Sequence, residues 1–162
     1  MIKFPKCLWR IAKEIGHARS VLDTRIRESD PYYNHKGLDR EHVETTGVIG
    51  ELIALDYLTK NKKDYEMVNL LDLYPSKSAD FVINNKRYDV KSTKHFKTAH
   101  LLVNERQHYK NLNIIDTYWF IYILTDETCE FYFVNYDDVS KWECKNFKYT
   151  NAFGIQPKNL KR

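Results

Sequence analysis

Two aspartates and a lysine are spaced so that one β-hairpin would bring their side chains together. Asp80 and Asp89 lie at equal distances from Asn84-Asn85, a pair that tolerates the left-handed backbone of a tight two-residue turn. With that turn the two aspartates are directly opposite each other, and opposite side chains share a face with Cβ atoms roughly 4.5–5.5 Å apart. Lys91 is two residues beyond Asp89 and falls on the same face. A three-residue turn would break this register.

Two carboxylates held opposite each other predict a site for a divalent cation. Like charges directly opposite on a sheet are destabilising unless something compensates them. Carboxylate oxygens favour Mg²⁺, which commonly binds one or two protein carboxylates together with water and phosphate oxygens. The alternative is a surface cluster of ion pairs formed by Asp80, Asp89, Lys91 and Arg87.

A third acidic residue comes from the helix predicted at about residues 41–60. At 100° per residue, Glu51 falls between Leu55 and Leu58, inside the apolar stripe of that helix. A carboxylate on a core-facing stripe is costly without a partner. Taken alone, Glu51 would lie at the edge of the stripe with its carboxylate in solvent. However, if Glu51 points toward the two aspartates and Lys91, one shared site accounts for the opposed aspartates, the nearby lysine and the acid on the apolar stripe.

The order of these residues resembles the pattern of the PD-(D/E)xK nuclease superfamily, which includes restriction-endonuclease-like and Holliday-junction-resolvase-like proteins. That family has an acidic residue on a helix, then Asp, a short hairpin and Asp/Glu-x-Lys. The corresponding pieces here are Gly47-Val48-Ile49-Gly50-Glu51, Ala79-Asp80 and Asp89-Val90-Lys91. Alanine replaces the proline of the motif, at a position that varies within the family. The resemblance covers about residues 41–125, roughly half of the 162-residue chain.

The resemblance implies a Mg²⁺-dependent DNA endonuclease, in which Mn²⁺ can replace Mg²⁺, and a role for each motif residue. Asp80 and Asp89 would hold the metal, with the Val90 carbonyl oxygen as a further ligand. Glu51 would bind a second metal or orient a metal-bound water. Lys91 would position the attacking water, help to deprotonate it, or stabilise the charge that builds on the phosphate.

Basic residues close to the motif are the predicted contacts to a nucleic-acid backbone. Residues 86–110 hold seven basic against two acidic residues and residues 141–162 hold six against one, a net charge of +5 for each segment. Clustered positive charge suits a polyanionic partner such as DNA, although a solvated face and a basic tail would carry the same charge. Lys94, Lys97 and Arg106 are the predicted phosphate contacts.

Gln107 and the histidines each have two interpretations. Some relatives carry a glutamine on the corresponding helix that assists the site, which would make Gln107 an accessory residue. Asn104 with Gln107 three residues later also fits a capping box, and this interpretation is favoured. Zinc binding is disfavoured because no tight ligand spacing joins the histidines His17, His35, His42, His95, His100 and His108.

The elements that would position the site predict a mixed α/β domain, with the mixed sheet of an α+β protein. Between about residues 41 and 125 the expected order is the helix, three strands, helix, strand of a restriction-endonuclease-like core. The predicted helices cover residues 6–22, 41–60, 104–112 and 136–145, and the predicted strands cover residues 65–71, 80–83, 87–93, 118–124 and 130–135.

A single domain over residues 1–162 is expected from the length, with a helical N-terminal extension at 1–40 and a basic C-terminal extension at 126–162. Hydrophobic residues make up 43% of the chain, but no apolar run approaches the ~18 residues that span a bilayer. With no signal-peptide pattern, the expected location is cytoplasmic, in a host cell if a phage or virus encodes the protein, and no membrane partner is expected.

DNA endonuclease is the leading hypothesis, and it leaves restriction, junction resolution and repair open as roles. The alternatives are a nucleic-acid-binding protein of the same fold that does not cut, and an RNase. A homodimer is also predicted, with the first helix and the basic C-terminal extension as candidates for dimer or DNA contacts.

Overall fold

A computed structural model describes residues 1–27, 39–67, 79–94, 100–147 and 150–160. The helices in these ranges are α1 (Leu8–Arg27), α2 (Arg40–Lys60), α3 (Glu105–Lys110) and α4 (Tyr136–Val139), with a final 3₁₀ turn at Pro157–Asn159. The strands are β1 (Ile2–Lys3), β2 (Glu66–Met67), β3 (Phe81–Ile83), β4 (Lys86–Lys94), β5 (Leu101–Asn104), β6 (Thr117–Thr125), β7 (Thr128–Asn135), β8 (Cys144–Phe147) and β9 (Thr150–Ile155).

Among the described residues, the main sheet has six strands in the order β1-β7-β6-β4-β3-β2. Its two central strands, β4 and β6, run parallel, in a register that extends from Tyr88↔Thr117 to Lys94↔Ile123. The other neighbouring strands are antiparallel. The protein is therefore a mixed α/β structure built on a mixed sheet, as the sequence predicts.

β6 separates two hydrophobic cores because its side chains alternate between the two faces of the main sheet. Trp119 and Ile121 face α1 and α2, where they pack with Phe81 and Val90. Tyr118 and Phe120 face the other way and pack with residues of β5 and β9. Burial on both faces explains the continuous apolar and aromatic run of this strand.

A second sheet of three antiparallel strands, in the order β5-β9-β8, contributes to the second core. β9 pairs with β5 from Leu101↔Ile155 to Asn104↔Ala152. The C-terminal extension predicted at 126–162 thus supplies β7 to the main sheet and β8 and β9 to the second one. Sequence analysis missed β1, β5, β8 and β9. Of these, β5 depends on a partner that is distant in the chain, because it pairs with β9.

α1 packs closely on α2 through small side chains. Ala12, Gly16 and Ser20 are buried along one face of α1, and a Cβ atom on Gly16 would lie 2.5 Å from Thr45 Oγ1. The apolar spacing of the predicted helix 6–22 would place Ile11 on the buried stripe with Leu8 and Ile15, which is wrong at that position because Ile11 is 43% exposed. In the part of the chain that the structure describes, no helix is both long and apolar enough to cross a membrane.

The β3–β4 hairpin has the predicted two-residue turn. Asn84 and Asn85 have φ angles of 50° and 60°, the left-handed conformation of the turn that matches strand twist. The pairs Phe81↔Tyr88, Val82↔Arg87 and Ile83↔Lys86 confirm the register.

Other element bounds differ from the predictions in part. α1 extends to Arg27, five residues beyond the predicted end, and α4 ends at Val139 rather than at 145 because the chain turns there and enters β8. The strand predicted at 65–71 is described only as Glu66–Met67. Residues 68–78, which include the predicted connection, lie outside the described ranges.

We expect Gly50→Ala to destabilise the protein, because a Cβ atom there would lie 2.6 Å from Ser92 Cβ on β4. The overlap costs about 1–3 kcal/mol, which outweighs the ~1 kcal/mol that alanine gains over glycine in a helix. Gly47→Ala on the same helix is the matched control, because a Cβ atom there meets nothing within 4 Å. Thermal unfolding should show a lower Tm for Gly50→Ala and a Tm at or above wild type for Gly47→Ala. Equal Tm values for the two variants would contradict the close approach of α2 to β4.

Candidate active site

The candidate site lies where β4 continues past the end of β3. The last pair between these strands is Phe81↔Tyr88, and no described strand pairs with β4 on this side beyond Tyr88. The Val90 amide instead donates a hydrogen bond to Asp80 Oδ2 at 2.6 Å. Because the N–H and C=O of one strand residue point to the same side, the Val90 carbonyl oxygen faces this open edge as well. Asp80 and two backbone groups of β4 thus meet at one place.

Asp80 lies one residue beyond the last pair of the hairpin, so the predicted direct pairing of Asp80 with Asp89 is not formed. Its carboxylate enters a partly buried, negatively charged environment. Its amide donates to the Tyr88 carbonyl oxygen at 2.8 Å, which fixes the backbone beside β4. Burial raises the pKa of Asp80 well above its ordinary value, and the negative charges of Asp89 and Glu51 raise it further. The carboxylates of Asp89 and Glu51 therefore both act on that of Asp80.

Asp89 and Lys91 project from the same face of β4 and form a mostly buried ion pair. Lys91 Nζ lies 2.7 Å from Asp89 Oδ2, and the exposed fractions of the two side chains are 22% and 10%. Burial lowers the pKa of Lys91, but the carboxylates of Asp89, Asp80 and Glu51 more than offset this effect, so the pKa lies above its ordinary value. Lys91 is therefore a cation at neutral pH.

The alternative of a surface ion-pair cluster is not supported at Arg87. Its guanidinium pairs with Asp116, with an Nη2–Oδ1 distance of 2.8 Å. This pair lowers the pKa of Asp116 to about 2, mainly through the hydrogen bonds from Arg87. Arg87 thus pairs with Asp116, whereas Lys91 pairs with Asp89.

Glu51 reaches the site from α2 and is held by Arg19 of α1. Arg19 Nη1 and Nη2 donate to Glu51 Oε1 and Oε2, each at 2.9 Å, and the side chains of both residues are 16% exposed. Burial lowers the pKa of Arg19, whereas its bond to Glu51 and the charges of Glu51, Glu44 and Asp80 raise it to a net value above the ordinary one. The core-facing carboxylate thus has a cationic partner that sequence analysis missed. The only sequence signal is that Arg19 follows Gly16 by three residues, beside the small-residue face of α1.

A second contact fixes α2 against β4 next to Glu51. Ser92 Oγ donates a hydrogen bond to the Thr46 carbonyl oxygen one turn earlier on α2. Ser92 also lies against Gly50, whose missing side chain permits the close approach. The helix is therefore held at a fixed depth on the strand that bears Asp89 and Lys91.

Asn111 is a further residue at the site that sequence analysis did not find. It follows α3, and its backbone N–H contacts the carbonyl oxygens at the end of that helix. Its Nδ2 donates to Asp89 Oδ2 at 3.2 Å. Asp89 is thus held by a lysine on its own strand and by an amide from α3.

The predicted DNA contacts are not part of this cluster. Lys94 is exposed, and its ammonium lies 4.3 Å from the centroid of the Trp9 ring. Arg106 and Gln107 are exposed on α3, and Lys97 lies outside the described residues. The N-cap is confirmed, because Asn104 Oδ1 accepts a hydrogen bond from the Gln107 amide at 3.0 Å.

The donor chemistry of the site fits a divalent cation, although the present arrangement is not a closed coordination sphere. Within the five described ranges, no three His, Cys, Asp or Glu side chains converge to hold one ion. Mg²⁺ does not need three, since it commonly uses one or two carboxylates and completes its shell with water. Asp80, Asp89 and the Val90 carbonyl oxygen supply hard oxygen atoms at one edge, and the raised pKa of Asp80 marks a place where added positive charge is favourable.

Comparisons with known proteins add no assignment. The sequence matches no model of a known protein family, and a search of curated proteins finds no match either. The functional argument therefore rests on the residues and geometry of the site itself.

We expect Asp80→Asn to stabilise the metal-free protein at neutral pH. The folded protein binds the Asp80 proton more tightly than the unfolded chain does, so the stability from this group is present below the ordinary pKa of about 3.9 and lost as the pH rises through the raised value. Asparagine removes the charge and keeps an oxygen for the Val90 amide. The gain should be present at pH 7 and should vanish below pH ~4, where the Asp80 side chain is neutral in both the folded and the unfolded chain. Calorimetric Tm values across pH measure it; a lower Tm at pH 7 would contradict the buried-charge assignment.

We expect Arg19→Gln to destabilise the protein, because it leaves the Glu51 carboxylate without its cationic partner. A charged group left unpaired in a mostly buried position costs about 1–3 kcal/mol. Arg10→Gln is the matched control, since Arg10 is exposed on the same helix. Denaturant unfolding of Arg19→Gln, Glu51→Gln and the double variant gives the coupling energy. Additive effects of the two substitutions would show that the pair contributes nothing to stability.

Proposed function

We propose that the protein is a Mg²⁺-dependent DNA endonuclease that hydrolyses phosphodiester bonds. The observation that carries this proposal is electrostatic: the charges of Asp89, Glu51 and Lys91 all act on Asp80, and all three carboxylates act on Lys91. Three carboxylates and one buried lysine cation are the groups that metal-assisted phosphate hydrolysis needs.

Asp80, Asp89 and the Val90 carbonyl oxygen would hold the metal ion. When bound, Mg²⁺ lowers the pKa of a coordinated water and offsets the negative charge on the phosphate. The Val90 amide keeps Asp80 in place through its 2.6 Å bond, and Asn111 does the same for Asp89. The carboxylates therefore need little reorganisation before they bind a cation.

Lys91 and Glu51 would act on the water and the phosphate. The raised pKa of Lys91 keeps it protonated, which favours a role in orienting the water and stabilising negative charge over a role as the base. Glu51, held by two bonds from Arg19, would accept a hydrogen bond from the attacking water or bind a second metal ion. Arg19 would add positive charge close to the phosphate.

The element order supports a restriction-endonuclease-like core as the structural basis of this activity. α2 is followed by the strands β2, β3 and β4, then by α3 and β6, which is the expected order apart from the added β5. The core would occupy about residues 41–125, with the acidic residues on α2, before the hairpin and on β4.

DNA would follow the basic residues around the site. Lys94 and Arg106 are exposed and bear no ion pair among the described residues, and Lys97 lies between them in the chain. A homodimer would extend this basic surface with that of a second copy, because a chain of 162 residues leaves little room for a separate DNA-recognition domain. Restriction, junction resolution and repair are all consistent with such an arrangement.

A nucleic-acid-binding protein that does not cut is the second candidate, and one observation favours it. Glu51 and Asp89 each already pair with a side-chain cation of the protein itself, Arg19 and Lys91. In this candidate the two cations complete the charge balance without a metal. Metal binding therefore distinguishes the two functions.

The test is cleavage of plasmid DNA and of a labelled four-way junction in Mg²⁺, Mn²⁺ and EDTA, with matched RNA to detect an RNase. Asp80→Asn and Lys91→Met should each lower the rate by at least about 100-fold. Asp80→Asn is the more informative variant. Its Tm is expected to rise, so a loss of cleavage in this variant would not result from unfolding. Lys63→Met is the matched control, since Lys63 lies exposed after α2, and it should keep the wild-type rate.

Metal-dependent cleavage that persists in Asp80→Asn and Lys91→Met would overturn the assigned site. An enzyme that requires one particular sequence would cut neither substrate, so titration calorimetry of Mg²⁺ into wild type and Asp80→Asn completes the test. Binding to wild type alone supports the nuclease. DNA binding with no Mg²⁺ binding supports the second candidate.

A further inference from the structure

A fully buried histidine lies in the second core, and both of its ring nitrogens are hydrogen-bonded. His108 on α3 is 0% exposed. Its Nδ1 lies 2.9 Å from the Tyr118 hydroxyl and its Nε2 lies 2.9 Å from Ser140 Oγ. Burial lowers the pKa of His108, so the ring is neutral at pH 7. A neutral imidazole has one donor nitrogen and one acceptor nitrogen, and the neighbours decide which is which.

The His108 ring is also fixed in orientation. It stacks on the Tyr136 ring, with centroids 4.1 Å apart and planes 13° from parallel. The Tyr136 hydroxyl donates to the His108 carbonyl oxygen at 2.8 Å, so one residue holds both the ring and the backbone. The hydrogen bonds of His108 are therefore set by packing.

Tyr118 and Asn111 connect this histidine to the candidate active site. Tyr118 is the register partner of Asp89 in the β4–β6 pair, so the two side chains lie beside each other on one face of the sheet. The Asn111 side chain is close enough to the Tyr118 hydroxyl to oppose the rise in its pKa, and it donates to Asp89 Oδ2 at 3.2 Å. Burial raises the pKa of Tyr118 far above its ordinary value, so its hydroxyl keeps its proton. A Tyr118 hydroxyl that accepts from Asn111 has its proton available for His108 Nδ1, and the ring proton then lies on Nε2, facing Ser140 Oγ.

We propose that Ser140, His108, Tyr118 and Asn111 form a positioning network that fixes the Asp89 carboxylate at the candidate metal site. The network runs from the second core to β4, with each bond directed by the one before it. Lys91 and Asn111 both hold Asp89, and both contact its Oδ2 atom. Asp89 is thereby kept in one rotamer when Lys91 turns from it toward a phosphate. The role of this network in holding Asp89 for metal binding rests on the proposed function.

The hydrogen-bond directions are tested first, in the metal-free protein. Nitrogen-15 NMR of the histidine rings should show His108 as the neutral tautomer with its proton on Nε2. In Tyr118→Phe, the Asn111 side-chain amide and the His108 Nδ1 signals should both shift. A proton on Nδ1, or unchanged Asn111 signals, would overturn the network whether or not the protein is a nuclease.

The role of the network is tested by metal affinity and by cleavage kinetics. Tyr118→Phe and His108→Gln should weaken Mg²⁺ binding and lower kcat by about 10-fold or more, with KM for DNA unchanged, because partners behind a metal ligand typically contribute 10–100-fold. Tyr132→Phe is the matched control, since it removes a tyrosine hydroxyl of the same core that contacts Glu130 instead.

The outcomes separate this inference from the proposed function. Wild type that binds Mg²⁺ and cuts DNA, with Tyr118→Phe no different from Tyr132→Phe in Mg²⁺ affinity and kcat, would overturn the positioning role alone. Wild type that neither binds Mg²⁺ nor cuts DNA would overturn the proposed function, and with it the role of the network, while the NMR result still decides whether the hydrogen-bond chain exists.

Discussion

Repulsion among Asp80, Asp89 and Glu51 is the constraint on which the local structure depends. Three carboxylates at the end of a short hairpin and on one helix face would push α2 away from β4 unless positive charge lay between them. Lys91 and Arg19 supply that charge. The close packing of α1 on α2 follows from the same need, because Arg19 reaches Glu51 only when the two helices approach through small residues.

Local sequence signals located the parts of the site that lie close together in the chain. The Asn84-Asn85 turn determines the hairpin register, and that register brings Asp80 next to the strand of Asp89 and Lys91. The cap at Asn104 was likewise predictable, because its partner is three residues away. Both the hairpin register and the cap are determined by residues within a few positions of each other, the range over which turn geometry and side-chain periodicity can be read from a sequence.

Sequence analysis failed where the partner is distant in the chain. Arg19 and Glu51 are 32 residues apart, Asn111 and Asp89 are 22 apart, and β5 needs β9 to be a strand. Nothing in the residues around Asn111 indicates that its amide faces Asp89. Such contacts are consequences of the tertiary fold, and they supply two of the four groups that hold the carboxylates in place, Arg19 and Asn111.

The parallel pairing of β4 with β6 has a consequence for the order of folding. Parallel strands cannot be joined by a tight turn, so the segment with β5 and α3 must close as a loop before β4 finds its inner neighbour. The hairpin can form first, since its contacts are local, and non-local contacts follow more slowly. We expect the two aspartates to meet early, whereas Arg19 and Asn111 reach them only in the final, cooperative step. An intermediate with an intact hairpin would therefore have Lys91 to offset the repulsion between Asp80 and Asp89 but would lack Arg19 and Asn111, which disfavours its accumulation.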